Sequence, residues 1–127
     1  MQVKMIEILN FASFYEAVRT QKLNIKTAYK LNQLARAIDT EVKFYQEKFQ
    51  EILNEYGEKD ENGQLVTNDG GAHFKLREGT DQECFAAVND LQQLDTTLPD
   101  ITFTIEDFQN VELSADQIAF AMPFLTE

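Results

Sequence analysis

A chain of 127 residues, 43% apolar and 26% charged, is about one globular domain's worth of protein. It carries no apolar run near the ~18 residues that span a bilayer, and Met1–Glu7 lack a signal peptide's apolar core and small-residue cleavage site. These readings set aside membrane and secreted classes and predict a cytoplasmic protein. The net charge of −11 argues against direct nucleic-acid binding, where phosphate neutralisation dominates affinity, and the single cysteine, Cys84, excludes an internal disulfide.

Residues 5–20 place Ile6, Leu9, Phe14 and Val18 on one face, with Phe11 and Tyr15 nearby, which predicts a short amphipathic helix. Gln21–Asn24 reads as a tight connection. Leu31, Leu34, Ile38, Val42, Tyr45, Phe49, Ile52 and Tyr56 then recur at spacings of 3 and 4, close to the helical period, with no Gly or Pro over residues 25–56. One helix of about 30 residues and about 45 Å follows. It is long for a globule of about 14 Å radius of gyration. Its apolar stripe must therefore pack on the first helix, on a later helix or on a second copy. Gly57 is the expected left-handed stop.

Asn62-Gly63 predicts a hairpin turn of type I′. Gln64–Thr67 and Ala72–Leu76 read as short strands of a β-hairpin, Phe74 and Leu76 pointing inward, with Asn68–Gly71 a second turn. Thr80 and Glu83 have the spacing of a capping box that starts a helix burying Cys84, Val88 and Leu91, with Phe85 and Leu94 flanking. Ile101–Ile105 alternates like a strand and is the expected partner of the hairpin. Ser114 and Gln117 form a second capping box, before a last short helix ending near Pro123. The fold class is α+β, in one domain over residues 1–127: a long helical hairpin with a small antiparallel β-sheet and a third helix.

Charge is distributed unevenly. Residues 1–30 have a net charge of +3, whereas Glu78–Glu127 hold eleven acids and no Lys or Arg. That half is either a solvated surface or a face that docks on a basic protein. No catalytic constellation accompanies it. Gly70-Gly71 lacks the pattern of a phosphate loop, and Asp60–Gly63 lacks the spacing and closing Glu of a calcium loop. His73 and Cys84 are too isolated for a zinc site. Cys84 lies on an apolar helix face, although its place in the first turn would lower its pKa through the helix dipole. No enzyme activity, cofactor or metal is expected. The aromatic row of the long helix is either core or, at Phe44 beside the stripe, interface. Phe120–Leu125 is either a plug of the core or a docking segment.

Lys22–Leu31 entering the long helix, Tyr56–Gly63 leaving it, and Val111–Asp116 with Pro123–Leu125 together resemble a family of small proteins encoded by tailed bacteriophages and prophages, of unknown function. The resemblance spans most of the chain and implies a viral origin. It supplies no catalytic residue. The combined expectation is a phage-encoded accessory protein, cytoplasmic in the infected bacterium, that binds and blocks a host protein such as a defence factor. Asp81, Asp90, Asp95, Glu106 and Asp107 would make the acidic contact. The alternative is a virion or tail/head assembly component that docks or self-associates through the long helix at Phe44 and Tyr56.

Overall fold

The structure, a computed structural model, describes residues 1–68 and 73–126. The chain forms an α+β fold in two compact units. One comprises Met1–Val42 with Asp95–Glu127 and the other Lys43–Leu94. The long helix, α2 (Ile25–Tyr56), has the bounds that its uninterrupted apolar period predicts and contributes residues to both units. No helix among the described residues is long and apolar enough to cross a membrane.

The first unit closes around phenylalanine. Strand β1 (Gln2–Lys4) pairs antiparallel with β4 (Asp95–Thr97), Val3 opposite Thr96. Helix α1 (Met5–Val18) follows directly, and the Glu7 carboxylate accepts the Lys4 N–H at 2.9 Å. Met5, Ile8, Phe11, Phe14 and Val18 are its buried residues, so Ile6 and Leu9, expected on the inner face, are only half-buried. The helix is apolar on most sides, and a broad apolar surface leaves the choice of inner face to whatever packs on it. Helix α2 starts at a cap that sequence reading passed over as a connection: the Asn24 side chain accepts the Thr27 N–H at 2.8 Å. Leu31, Leu34 and Ile38 of α2 are buried in this unit.

Ring centroids of Phe11 lie 4.4 Å from Phe124 and 5.4 Å from Phe14, and Phe14 meets Phe108 edge-on at 5.3 Å. The tip of Phe120–Leu125 is thus a plug at Phe124, fully buried against α1. Helix α4 (Ala115–Ala121), which packs on α1, begins at the expected Ser114–Gln117 capping box, with reciprocal bonds of 3.1 and 2.9 Å. The Ile101–Ile105 strand is corrected. Only β5 (Phe103–Thr104) is extended, and it pairs in parallel with β6 (Leu125–Thr126), not with the hairpin. Its cause is a cap: the Asp107 carboxylate accepts the Thr104 N–H at 2.8 Å and turns Ile105–Phe108 into a 3₁₀ helix.

The second unit has a thinner core. Tyr45, Phe49 and Ile52 of α2 are half-buried, and Tyr45 stacks on Phe49 at 5.8 Å. Gly57 does not adopt the expected left-handed conformation, which belongs to Gly63 and Gly79. Its constraint is space: a Cβ there would lie 2.5 Å from the Leu53 carbonyl and 2.5 Å from a Leu65 methyl. The turn is also displaced. Gly63 N–H donates to the Asp60 carbonyl at 3.0 Å, while the Asp60 side chain accepts from the Asn62 and Gln64 N–H groups. With a left-handed Gly63 after it, this is the bond pattern of a type I turn and bulge.

Glu58, Val66 and Lys75 then close a ring of three backbone bonds. Glu58 N–H donates to Lys75, Lys75 to Val66 and Val66 to Glu58, at 2.8 to 2.9 Å. The hairpin is reduced to β2 (Thr67–Asn68) and β3 (His73–Phe74), in antiparallel register. Phe74, expected inward, is exposed, because so short a ribbon has no second layer over that face. The Asn68–Gly71 turn falls mostly outside the described residues.

Helix α3 (Asp81–Gln92) buries Cys84 and Leu91, leaves Val88 half-buried and exposes Phe85. Its expected capping box is absent. The Thr80 hydroxyl instead donates to the Arg77 carbonyl at 2.6 Å, and a backbone at φ −104°, ψ 1° is not the extended cap conformation.

Candidate functional site

Burial, then the Asp81 charge, pushes the Cys84 thiol above its ordinary value, so the expected lowering by the helix dipole does not prevail. Among the described residues no three His, Cys, Asp or Glu side chains are gathered to hold a metal ion. Asp60, the residue that opened the calcium-like stretch, spends its carboxylate on its own turn.

The expected acidic contacts are divided between the two units. Asp81 and Asp90 are nine residues apart on α3, half a turn out of phase, and therefore on opposite faces. Asp95 sits in β4, 4.0 Å from the Lys4 ammonium. Glu106 is exposed on the 3₁₀ helix. Asp107 is committed to structure: besides Thr104 it accepts the hydroxyl of the buried Thr27 at 3.1 Å. Burial works to raise its pKa, but those hydrogen bonds and the Lys30 charge win and hold it below the ordinary carboxylate value. Tyr56 is half-buried, and its carbonyl accepts the Arg77 N–H at 2.8 Å. Burial, then Glu55 and Glu83, pushes its phenol upward, so it stays protonated.

Two of the apolar clefts among the described residues carry exposed apolar side chains beside acids. The first lies in the Phe-rich unit, encloses about 300 Å³ and is walled by Phe14, Ile105, Phe108, Val111, Leu113 and Ile118. No charged residue lines it, yet Ile105 is 75% exposed. The surrounding segment offers acids alone: Glu106, Glu112 and Asp116 are exposed. Ile105 was missed from sequence because it closes an alternating run that reads as an inward-facing strand. Its signal was Asp107, three residues after Thr104.

The second cleft lies in the other unit, between α2 and α3, and encloses about 330 Å³. Phe44, Ile52, Leu91 and Leu94 supply its apolar lining, and Lys48, Glu51, Glu55 and Asp90 its charges. Phe44 is 40% exposed, as its place beside the helix stripe implied, with the Lys48 ammonium 5.8 Å from its ring. Lys48 is paired with Glu51 at 3.2 Å. Glu55 and Asp90 have no ion partner among the described residues, so the groove is acidic on both walls. Of the seven expected contacts this groove brings together two, Phe44 and Asp90.

No protein-family model, curated protein or solved structure matches the chain.

Proposed function

We propose that this chain is a non-catalytic, phage-encoded protein acting in the cytoplasm of the infected bacterium. It grips a basic amphipathic segment of a host protein in the Ile105–Ile118 cleft and so blocks that protein. The carrying observation is the combination at one place of an apolar cleft, an exposed isoleucine on its wall and a flanking segment, residues 105–118, whose charged residues are all acids. Water-exposed apolar walls favour an apolar side chain, which gains roughly 1.5–3 kcal/mol when fully buried. The exposed carboxylates beside the cleft attract and orient a cationic segment, raising the association rate more than the final affinity. The viral origin rests on the resemblance of the helix entry and exit motifs.

The test is capture from lysate of a susceptible bacterium by wild type and by Ile105→Glu, at low and high salt. A host protein held by the wild type, lost with Ile105→Glu, released by salt and inhibited in its own assay is the expected result. A captured protein held equally by Ile105→Glu sinks the reading.

A second reading, a virion or tail/head assembly component docking through the long helix, is favoured by the open groove at Phe44. Its binding would fall with Phe44→Ala and be indifferent to Ile105→Glu.

A further inference from the structure

The start of α2 carries an unexplained surface. Ile25 is 87% exposed and Tyr29, one helical turn later, 64% exposed. Residues four apart lie on the same helix face, so the two form one small apolar patch. Lys22 and Lys26 flank it, both exposed, and neither has an ion partner among the described residues. The first turn contains no acid to complement the helix dipole, so the patch is apolar at its centre and positive around it. The groove between α2 and α3 is the reverse of this in charge and alike in polarity. Its floor is apolar, Phe44 stands open in its wall, and Glu55 and Asp90 are uncompensated.

We infer that a second copy of this chain fills the groove: Ile25 and Tyr29 of one copy pack on Phe44, Ile52 and Leu94 of the other, while Lys22 and Lys26 meet Glu55 and Asp90. Each surface by itself leaves apolar side chains in water and charges without partners. Together they bury the first and pair the second. The exposed charges bring copies together and set the register, and the apolar contact holds them. Few residues take part, so the patch belongs among small interfaces and the association is weak and concentration-dependent. This pairing is independent of the host-protein reading, which uses the cleft at Ile105.

Light scattering of the full chain tests it by complementation. Wild type at low salt should rise above its monomer mass of 14.6 kDa as concentration increases and fall back at high salt, where exposed pairs are screened. Ile25→Glu with Tyr29→Ala removes the patch and leaves the groove. Phe44→Ala with Asp90→Lys removes the groove and leaves the patch. Each doubly substituted chain should associate at least about tenfold more weakly than wild type, as loss of a central apolar anchor predicts. An equimolar mixture of the two should associate, because each supplies what the other lacks.

Ile25 and Tyr29 are too exposed for their replacement to unfold the chain, which keeps one arm free of folding effects. A wild type that stays at monomer mass at every concentration overturns the inference. So does a mixture that stays monomeric while the wild type associates, since another surface is then responsible. Ile105→Glu should leave self-association unchanged, which separates failure here from failure of the host reading.

Discussion

The two units spend their apolar residues differently. In the unit of Met1–Val42 and Asp95–Glu127 five phenylalanines are buried: Phe11, Phe14, Phe103, Phe108 and Phe124. Among the described residues of 43–94 the buried apolar ones are Leu53, Cys84 and Leu91, and the aromatics of α2 stay half-buried or exposed. The first unit is stabilised by burial. The second depends on a backbone ring at Glu58, Val66 and Lys75 and on side chains that still face water. A compact core tolerates a ligand cleft at its edge, whereas a thin core gains stability from whatever covers it, by mass action. On that contrast, covering the groove at Phe44 should stabilise its unit more than filling the cleft at Ile105 stabilises the other.

The sharpest way to break this contrast is to compare equivalent truncations. Phe11→Ala should cost about 3–5 kcal/mol, the usual loss for a fully buried aromatic ring. Phe49→Ala, half-buried, should cost about half as much or less. Chemical denaturation followed by circular dichroism measures both, and equal losses would mean that the units are equally packed. Gly57→Ala comes next. Its Cβ meets a backbone carbonyl that cannot swing aside, so about 1–3 kcal/mol is expected from overpacking. Amide exchange should show the loss in residues 57–76 and spare α1. A loss spread evenly over the chain would contradict it.

What could be read in advance follows a simple division. The bounds of α2 were legible because one long period with no Gly or Pro leaves a helix no reason to stop. Ser114 and Gln117 were legible because their bonds are local. Thr80 and Glu83 have the same spacing and fail, since a turn from Arg77 to Thr80 leaves Thr80 at φ −104°, ψ 1°, outside the extended cap conformation, and side-chain spacing alone does not reveal that backbone turn. The β1–β4 pair was not legible: strands of three residues, more than ninety positions apart, carry no period. The alternating residues 101–105 hid a Thr104–Asp107 cap, and with it Ile105. The groove at Phe44 was half legible, since a residue beside a stripe can be seen in sequence but the Leu94 and Asp90 facing it cannot.

A smaller effect tests the polar side of the first unit. Asp107→Ala leaves the Thr104 N–H and the buried Thr27 hydroxyl without their acceptor, at a cost of about 1–2 kcal/mol near neutral pH. The native carboxyl titrates below its unfolded value of about 3.9. Its contribution is therefore complete above that value and is lost as pH falls through the lower native one. The stability gap between wild type and Asp107→Ala should be constant from neutral pH to about 5 and narrow below about 4. A gap unchanged at pH 3 would assign the loss to packing.

The smallest perturbation uses no substitution. Cys84 is the chain's single thiol and is buried in the thinner unit, and its raised pKa leaves little thiolate at neutral pH. Alkylation in the native state therefore needs residues 43–94 to open. If the two units differ as their cores do, the thiol should be labelled in mild denaturant while amides of α1 remain protected from exchange, because local opening costs less than global unfolding. Labelling that keeps pace with α1 exchange at every denaturant concentration would mean that both units open in one step. In that case the half-buried aromatics of α2 are as firmly held as the buried phenylalanines.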